Sequence, residues 1–196
     1  LGSGESGVGA AKLAQKQGME VFVSDFGTIK QAYKDELIAL NIPFEEGKHT
    51  EEIILSATTV IKSPGIADKV AIIQKIKEKQ IPVISEIEFG FRFSKAKIIA
   101  ITGTNGKTTT TSLTYHILEK AGLDVGLGGN IGTSFARQVA EGDKEYFVLE
   151  ISSFQLDNCT TFKPFISILC NITEDHLDRY DYKFENYIRS KFSITK

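Results

Sequence analysis

The 196 residues predict an α/β chain with two parallel sheets, and three observations carry that prediction. Short β-rich runs alternate with stretches of helical spacing, the pattern of parallel strands joined by helices. The pattern restarts after Ser94-Lys95-Ala96-Lys97, which divides the chain into residues 1–93 and 94–196. Near the start of each part a glycine loop stands at a strand-to-helix junction: Gly2-Ser3-Gly4-Glu5-Ser6-Gly7, then Gly103-Thr104-Asn105-Gly106-Lys107-Thr108-Thr109.

The elements follow in order. Val8-Gly9-Ala10-Ala11-Lys12-Leu13-Ala14 starts a helix that ends near Gly18, and residues 20–25 read as a strand. Residues 29–40 carry apolar side chains at helical spacing, with Pro43 past their end. Residues 58–62 are a strand stopped by Ser63-Pro64-Gly65, residues 69–79 a helix and residues 81–84 a strand. In the second part, residues 98–102 are a strong β run and residues 107–121 a long helix. Residues 146–149 and 165–169 read as buried strands, and residues 184–194 as a helix whose buried face is marked by Phe184, Tyr187, Ile188 and Phe192. A glycine turn such as Gly2–Gly7 normally follows a strand, of which only Leu1 is expected here, and Ile194-Thr195-Lys196 carries no helix-ending signal. The chain therefore reads as a piece of a longer protein.

Composition narrows the function. Apolar residues at 41% and charged residues at 24% fit a soluble domain and exclude a disordered chain or a coiled coil. No run approaches the ~18 apolar residues of a membrane span. Lys plus Arg is 23 and Asp plus Glu 25, so the net charge of −2 gives no reason to expect a nucleic acid or an anionic membrane as partner. Cys159 and Cys170 lack metal-ligand spacing and are expected as reduced, buried thiols of a cytoplasmic protein.

The second glycine loop suits a nucleoside triphosphate. Glycines let backbone N–H groups converge on phosphate oxygens, and the helix N-terminus adds partial positive charge. Lys107 can reach the β- and γ-phosphates, and the Thr108 hydroxyl can hold Mg²⁺. Ile101 stands where a generic P-loop has its first glycine, so the loop is the shorter G-x-x-G-K-T. Tyr146-Phe147-Val148-Leu149-Glu150 ends an apolar strand in a carboxylate, which a parallel sheet brings to the same edge as the phosphate loop. Asn171-Ile172-Thr173-Glu174-Asp175-His176 puts polar, metal-capable groups at a third strand end.

The first loop has the G-x-G-x-x-G form, and Asp25 ends the next strand 18 residues after Gly7. A diphosphate fits there, without indication of which nucleotide. Ser63-Pro64-Gly65 lies at another strand end of the same part. Lys191, seven residues after Phe184, falls on the buried helix face. Spacing alone favours a lysine at the edge of the stripe with its amine reaching out to water; a neutral buried amine can instead take up CO₂ as a carbamate.

Four strings resemble the Mur ligases: Gly103 to Thr109; Gly129-Asn130-Ile131-Gly132; Glu150-Ile151-Ser152-Ser153-Phe154-Gln155-Leu156; and Asn171 to His176 continued by Leu177-Asp178-Arg179-Tyr180. The resemblance covers essentially the whole chain. It implies a Rossmann-like UDP-substrate domain over residues 1–93, the first part of a P-loop ATPase-like central domain over 94–196, and an amino-acid-binding domain outside this chain. Ser-Ser-Phe-Gln-Leu and Thr-Glu-Asp-His-Leu-Asp-Arg-Tyr are most similar to the member that uses ATP to join D-glutamate to UDP-N-acetylmuramoyl-L-alanine through an acyl phosphate, with no obligate protein partner.

The resemblance further implies that Gly103, Thr104, Asn105, Gly106, Lys107, Thr108 and Thr109 bind ATP. Lys107 stabilises the migrating phosphoryl group. Thr108 and Glu150 hold one Mg²⁺, and His176 with a carbamylated Lys191 a second. Gly4, Glu5, Ser6, Gly7, Ser63, Gly65, Asn130, Ser152 and Asp175 contact or adjoin the UDP-sugar substrate. In one departure, Phe26-Gly27 stands where some members carry Thr-Arg to grip uracil and phosphate. Rival readings are a sister ligase such as a folylpolyglutamate synthetase, a nicotinamide-dependent dehydrogenase fused to a nucleotide switch domain, and a non-catalytic nucleotide-binding piece.

Overall fold

The β-branched run 98–102 lies at the heart of the larger sheet. In a computed structural model that describes residues 1–196, it forms β5 (Lys97–Thr102), flanked by β7 (Tyr146–Glu150) on one side and β8 (Ile166–Leu169) on the other. With β6 (Val125–Gly129) outside β7, the order is β6-β7-β5-β8, all parallel. The register sets Ile101 opposite Glu150, Glu150 opposite Gly129, and Thr102 opposite Leu169, so four strand ends meet at one edge. β6 escapes sequence reading because three of its five residues are glycine. The packing requires them: a Cβ on Gly126 would lie 2.3 Å from the Phe147 ring, and one on Gly128 2.5 Å from the Gln138 amide.

The first part holds α1 (Glu5–Lys16), β1 (Val23–Asp25), α2 (Gln31–Ala39), β2 (Phe44–Glu46), α3 (Glu51–Ile54), β3 (Val60–Ile61), α4 (Ala71–Glu78), β4 (Val83–Ile84) and α5 (Glu86–Phe91). Instead of one sheet it has two parallel pairs, β1 with β2 and β3 with β4. Leu1 and Gly2 bridge them. The Leu1 amine donates to Ile61 O (2.6 Å), Gly2 N–H to Ser24 O (3.0 Å), and Ser63 N–H to Leu1 O (2.9 Å). The second part adds α6 (Lys107–Lys120), α7 (Phe135–Glu141), α8 (Ser153–Leu156) and α9 (Phe184–Phe192). Two strip assignments change. Phe165 and Ile166 of the β8 edge are exposed, and Phe192 is 52% exposed while Lys191 is buried.

One hydrophobic core crosses the boundary. Leu13, Ile84, Ile87 and Phe89 of the first part pack with Ile98, Phe135, Phe147 and Leu149 of the second. Each such side chain contributes about 1.5–3 kcal/mol on full burial. Glycines permit the close helix approach: a Cβ on Gly9 would meet Ser134 Oγ at 2.0 Å, and one on Gly90 the Phe135 ring at 2.7 Å. Two buried carboxylates on α5 fare differently. Glu88 accepts N–H groups from Thr160, Thr161 and Phe162 at 2.9–3.0 Å and pairs with Arg92. Glu86 accepts only Ala136 N–H, its second oxygen has no partner, and burial pushes its carboxyl up to about 8. No helix is long and apolar enough to cross a membrane, and both cysteines are free and half-buried.

Candidate active site

The phosphate loop leaves β5 at Gly103 and enters α6 through Gly106, whose φ of 79° is left-handed and glycine-favoured. Gly103 lies against the end of β8, where a Cβ would come 2.9 Å from that of Cys170. Asn171, just beyond β8, shapes the turn. Its carbonyl accepts Thr104 N–H (3.0 Å), its side-chain oxygen accepts Asn105 N–H (2.9 Å), and its amide donates to Asn105 O (3.0 Å). Thr104 is held by Thr173 and by the Tyr187 hydroxyl. The first-turn N–H groups of Lys107, Thr108 and Thr109 have no intrahelical acceptor and are open to an anion, as at any helix start. The Lys107 amine donates to the carbonyl of Thr104 in its own loop at 2.8 Å.

Glu150 is the knot of the site. It is 2% exposed at the end of β7. Thr108 Oγ1 donates to one carboxylate oxygen (2.7 Å) and Asn130 Nδ2 to the other (2.8 Å). Three sequence-predicted residues from three strand ends thus meet in one cluster. Lys191 lies behind it, 2% exposed, its amine donating to Gly103 O at 2.7 Å and lying over the Tyr187 ring. Burial, and secondarily the Lys107 charge, lower its ammonium to about 8. The outward-reaching lysine suggested by spacing alone is therefore not what forms. His176 is on an exposed turn in the left-handed region (φ 51°), its ring 5.2 Å from that of Phe154 and its Nε2 3.5 Å from Asp175 Oδ2. No hydrogen bond joins His176 to Lys191, and no group of three His, Cys, Asp or Glu side chains gathers as a metal site.

The first loop holds its expected residues in less uniform roles. Gly4 and Gly65 have open space where a Cβ would stand. Gly7 does not: a Cβ there would come 1.9 Å from Gly2 O, so this glycine serves the turn's own packing. Ser6 is half-buried on the first turn of α1, and Ser63 packs against Gly2. Glu5 has a structural role as well. Its carboxylate accepts Ser134 N–H (3.0 Å) and Arg137 Nε (2.8 Å), so its side chain ties the loop to α7. Ser152 is likewise occupied as the N-cap of α8 in a reciprocal pair with Gln155. Asp25 accepts Ser3 N–H (2.7 Å) and Oγ (2.6 Å) on one oxygen and Gly27 N–H (2.8 Å) on the other. Burial opposes its charge, but those bonds hold the carboxyl below its usual range. Sequence reading missed Asn171 as the loop's template, together with Arg137 and Arg179, which bridge the two parts; only contacts distant in sequence reveal them.

Fold and site define a two-part α/β protein with a glycine loop of P-loop form beside a buried carboxylate. Comparison makes this specific. The Mur ligase middle domain matches residues 101–196 and the MurD N-terminal domain residues 1–72. The chain belongs to the Mur ligase family. It is 58% identical over 196 residues to the UDP-N-acetylmuramoylalanine–D-glutamate ligase of Porphyromonas gingivalis, covering 100% of this chain and 44% of that protein. The enzymes of that name from Bacteroides thetaiotaomicron (59% over 196 residues, 100% and 44%) and Chlorobium phaeobacteroides (43% over 199 residues, 99% and 43%) are similar too. The chain thus spans less than half the length of these relatives. Among solved structures, UDP-N-acetylmuramate:L-alanyl-gamma-D-glutamyl-meso-diaminopimelate ligase from Neisseria meningitides shares the fold at a TM-score of 0.61 and 22% identity, over 96% of this chain and 64% of that one. The alanine ligase MurC from Thermotoga maritima does so at 0.59 and 22%, over 97% and 45%.

Proposed function

We propose that the whole protein is a cytoplasmic ATP-dependent ligase that joins D-glutamate to UDP-N-acetylmuramoyl-L-alanine in peptidoglycan precursor synthesis. The observation that carries this reading is the buried Glu150 carboxylate gripped by Thr108 and Asn130 at the mouth of the phosphate loop. Relatives bearing that activity in their names, 58–59% identical over the chain, supply the substrates. In this reading residues 1–93 seat the UDP moiety, residues 94–196 begin the ATP unit, and the amino acid binds outside this chain.

The donor set fits Mg²⁺. A carboxylate and a hydroxyl are hard oxygen ligands, and both stand at the end of the phosphate loop. Thr108 and Glu150 would hold the ion, which supplies charge neutralisation between phosphate oxygens when bound. The remaining chemistry belongs to the chain. The α6 N-terminus and Lys107 stabilise charge on the transferring phosphoryl group. The substrate carboxylate attacks the γ-phosphorus, forming a new O–P bond as the bond to ADP breaks. The amine of D-glutamate then attacks the acyl carbon, the C–N bond forms, a proton leaves and phosphate departs. Asn130 orients the sugar-peptide substrate. His176 and a carbamylated Lys191 would hold a second Mg²⁺; the free amine seen against Gly103 would first have to lose its proton to take up CO₂. The engaged Asp25 oxygens weigh against a dinucleotide at the first loop, where that carboxylate would grip a ribose.

Phosphate release by the full-length protein tests the reading, with ATP, UDP-N-acetylmuramoyl-L-alanine and a panel of amino acids. D-Glutamate should be the preferred stimulant. Preference for a diamino acid, L-alanine or glutamate chains on a folate would assign a sister activity instead.

A further inference from the structure

The turn that carries His176 is backbone-strained. His176, Asp181 and Tyr182 all have φ between 51° and 55°, three non-glycine residues in the left-handed region within seven positions. Such conformations persist only where surrounding contacts over-determine them. One contact comes from the other part of the molecule. Arg179, in the short 3-10 turn Leu177–Arg179, donates through Nη2 to Pro64 O (3.3 Å) and Ile66 O (3.4 Å). Ile66 O is itself fixed by the buried Lys62 amine (2.9 Å), which also pairs with Asp68. On its other side the guanidinium lies 4.4 Å from the Phe154 ring centroid, and that ring is 5.2 Å from the ring of His176.

We propose that Arg179 is a positioning residue that locks the 63–66 loop of the first part to the His176 turn of the second, and so fixes the seat of the sugar nucleotide relative to the phosphate loop. The inference rests on the ligase reading above. Its physical basis is the shape of arginine. A guanidinium offers several donors and a planar face, so it can hold two carbonyls and stack on a ring together. Lysine has a point charge and cannot do both. Because its partners on the loop are backbone carbonyls, the lock does not depend on which side chains the 63–66 loop carries.

The two legs of the lock should separate kinetically in the full-length enzyme. Arg179→Met removes charge-assisted bonds to the loop and should raise KM for the UDP-sugar about tenfold, leaving KM for ATP within about twofold. Arg179→Lys should recover only part of that loss. Phe154→Leu keeps the carbonyl bonds but cuts the link to His176, so it should lower kcat with KM for the UDP-sugar unchanged. The proposal is overturned if Arg179→Met leaves both constants within twofold of wild type. If Arg179→Met instead shifts both KM values together alongside a fallen melting temperature, the mark of general destabilisation, Arg179→Lys decides: a rise in KM for the UDP-sugar alone supports the proposal, and any other result overturns it. Wild-type enzyme without ligase activity would defeat the parent reading instead. In that case calorimetric titration of a UDP-sugar into wild type and Arg179→Met decides the inference, equal affinity sinking it.

Discussion

The glycine loop at residues 2–7 and the loop at residues 103–107 share a topology and differ in what surrounds them. Both stand at a helix N-terminus. The first is lined by turn-forming glycines and serine, and its one charged side chain, Glu5, is turned away to Ser134 and Arg137. The second brings Lys107, Thr108, Glu150 and Asn130 to its mouth, with Lys191 behind. A helix start alone suffices to hold a phosphate, whereas moving one requires preorganised charge where charge develops. Under the proposed function, the difference separates a loop that holds the sugar nucleotide from one that acts on ATP.

The strongest way to break that distinction is at Lys107. In the full-length enzyme Lys107→Ala should lower kcat by ~10²–10³, the usual cost of losing one preorganised group at a reacting centre. UDP-sugar affinity, read by calorimetry, should be untouched. A loss below tenfold would mean the second loop merely binds.

Lys191 comes next, with an expected loss of at least about tenfold for Lys191→Ala, the scale seen for groups that support a metal site. Acetate should restore part of it by placing an oxygen anion in the vacated space. Lys191→Arg should stay inactive, because guanidinium keeps its charge and takes up no CO₂. An active arginine variant would show that the amine acts only as a cation.

How much of this contrast was legible in sequence differs between the loops. The second was readable because its chemistry is local: strand, glycines, Lys-Thr and helix are contiguous, and Glu150 ends an apolar run. Register put Lys191 on the buried helix face, but spacing alone favoured an amine reaching out to water, and Phe192 beside it was misplaced in the buried stripe; burial of the amine against Gly103 O depends on a partner 88 positions away. The first loop was less legible because a glycine motif does not say which way each residue faces. Glu5 is a loop residue by position and a bridge by contact, and its partners lie 129 and 132 positions away. β6 was invisible because its glycines answer to Phe147 and Gln138, not to strand propensity.

A paired substitution sharpens the reading of the first loop. Gly7→Ala drives a methyl to 1.9 Å from Gly2 O and should cost about 1–3 kcal/mol of stability or an equivalent loss of UDP-sugar affinity. Gly4→Ala meets nothing within 4 Å and should change stability by less than about 0.5 kcal/mol. Thermal unfolding of both variants gives the answer; equal effects would mean the loop's glycines serve conformation alone.

A different readout, the pH dependence of stability, applies where the two parts are joined. Glu86 sits in the seam, bonded to Ala136 N–H, and after burial the nearby Glu5 charge adds to its upward shift to about 8. An unfolded glutamate releases its proton near 4.5, so between there and about 8 the folded protein holds one proton more. Raising pH through that window therefore favours unfolding, and the contribution is fully present only below it. The slope of a one-proton difference is at most about 1.4 kcal/mol per pH unit. Glu86→Gln cannot titrate, so its stability should change less over the same window while kcat stays as in wild type. Parallel stability–pH curves for the two proteins would show that Glu86 is already ionised when folded. The seam would then be held by a buried anion rather than by a neutral acid.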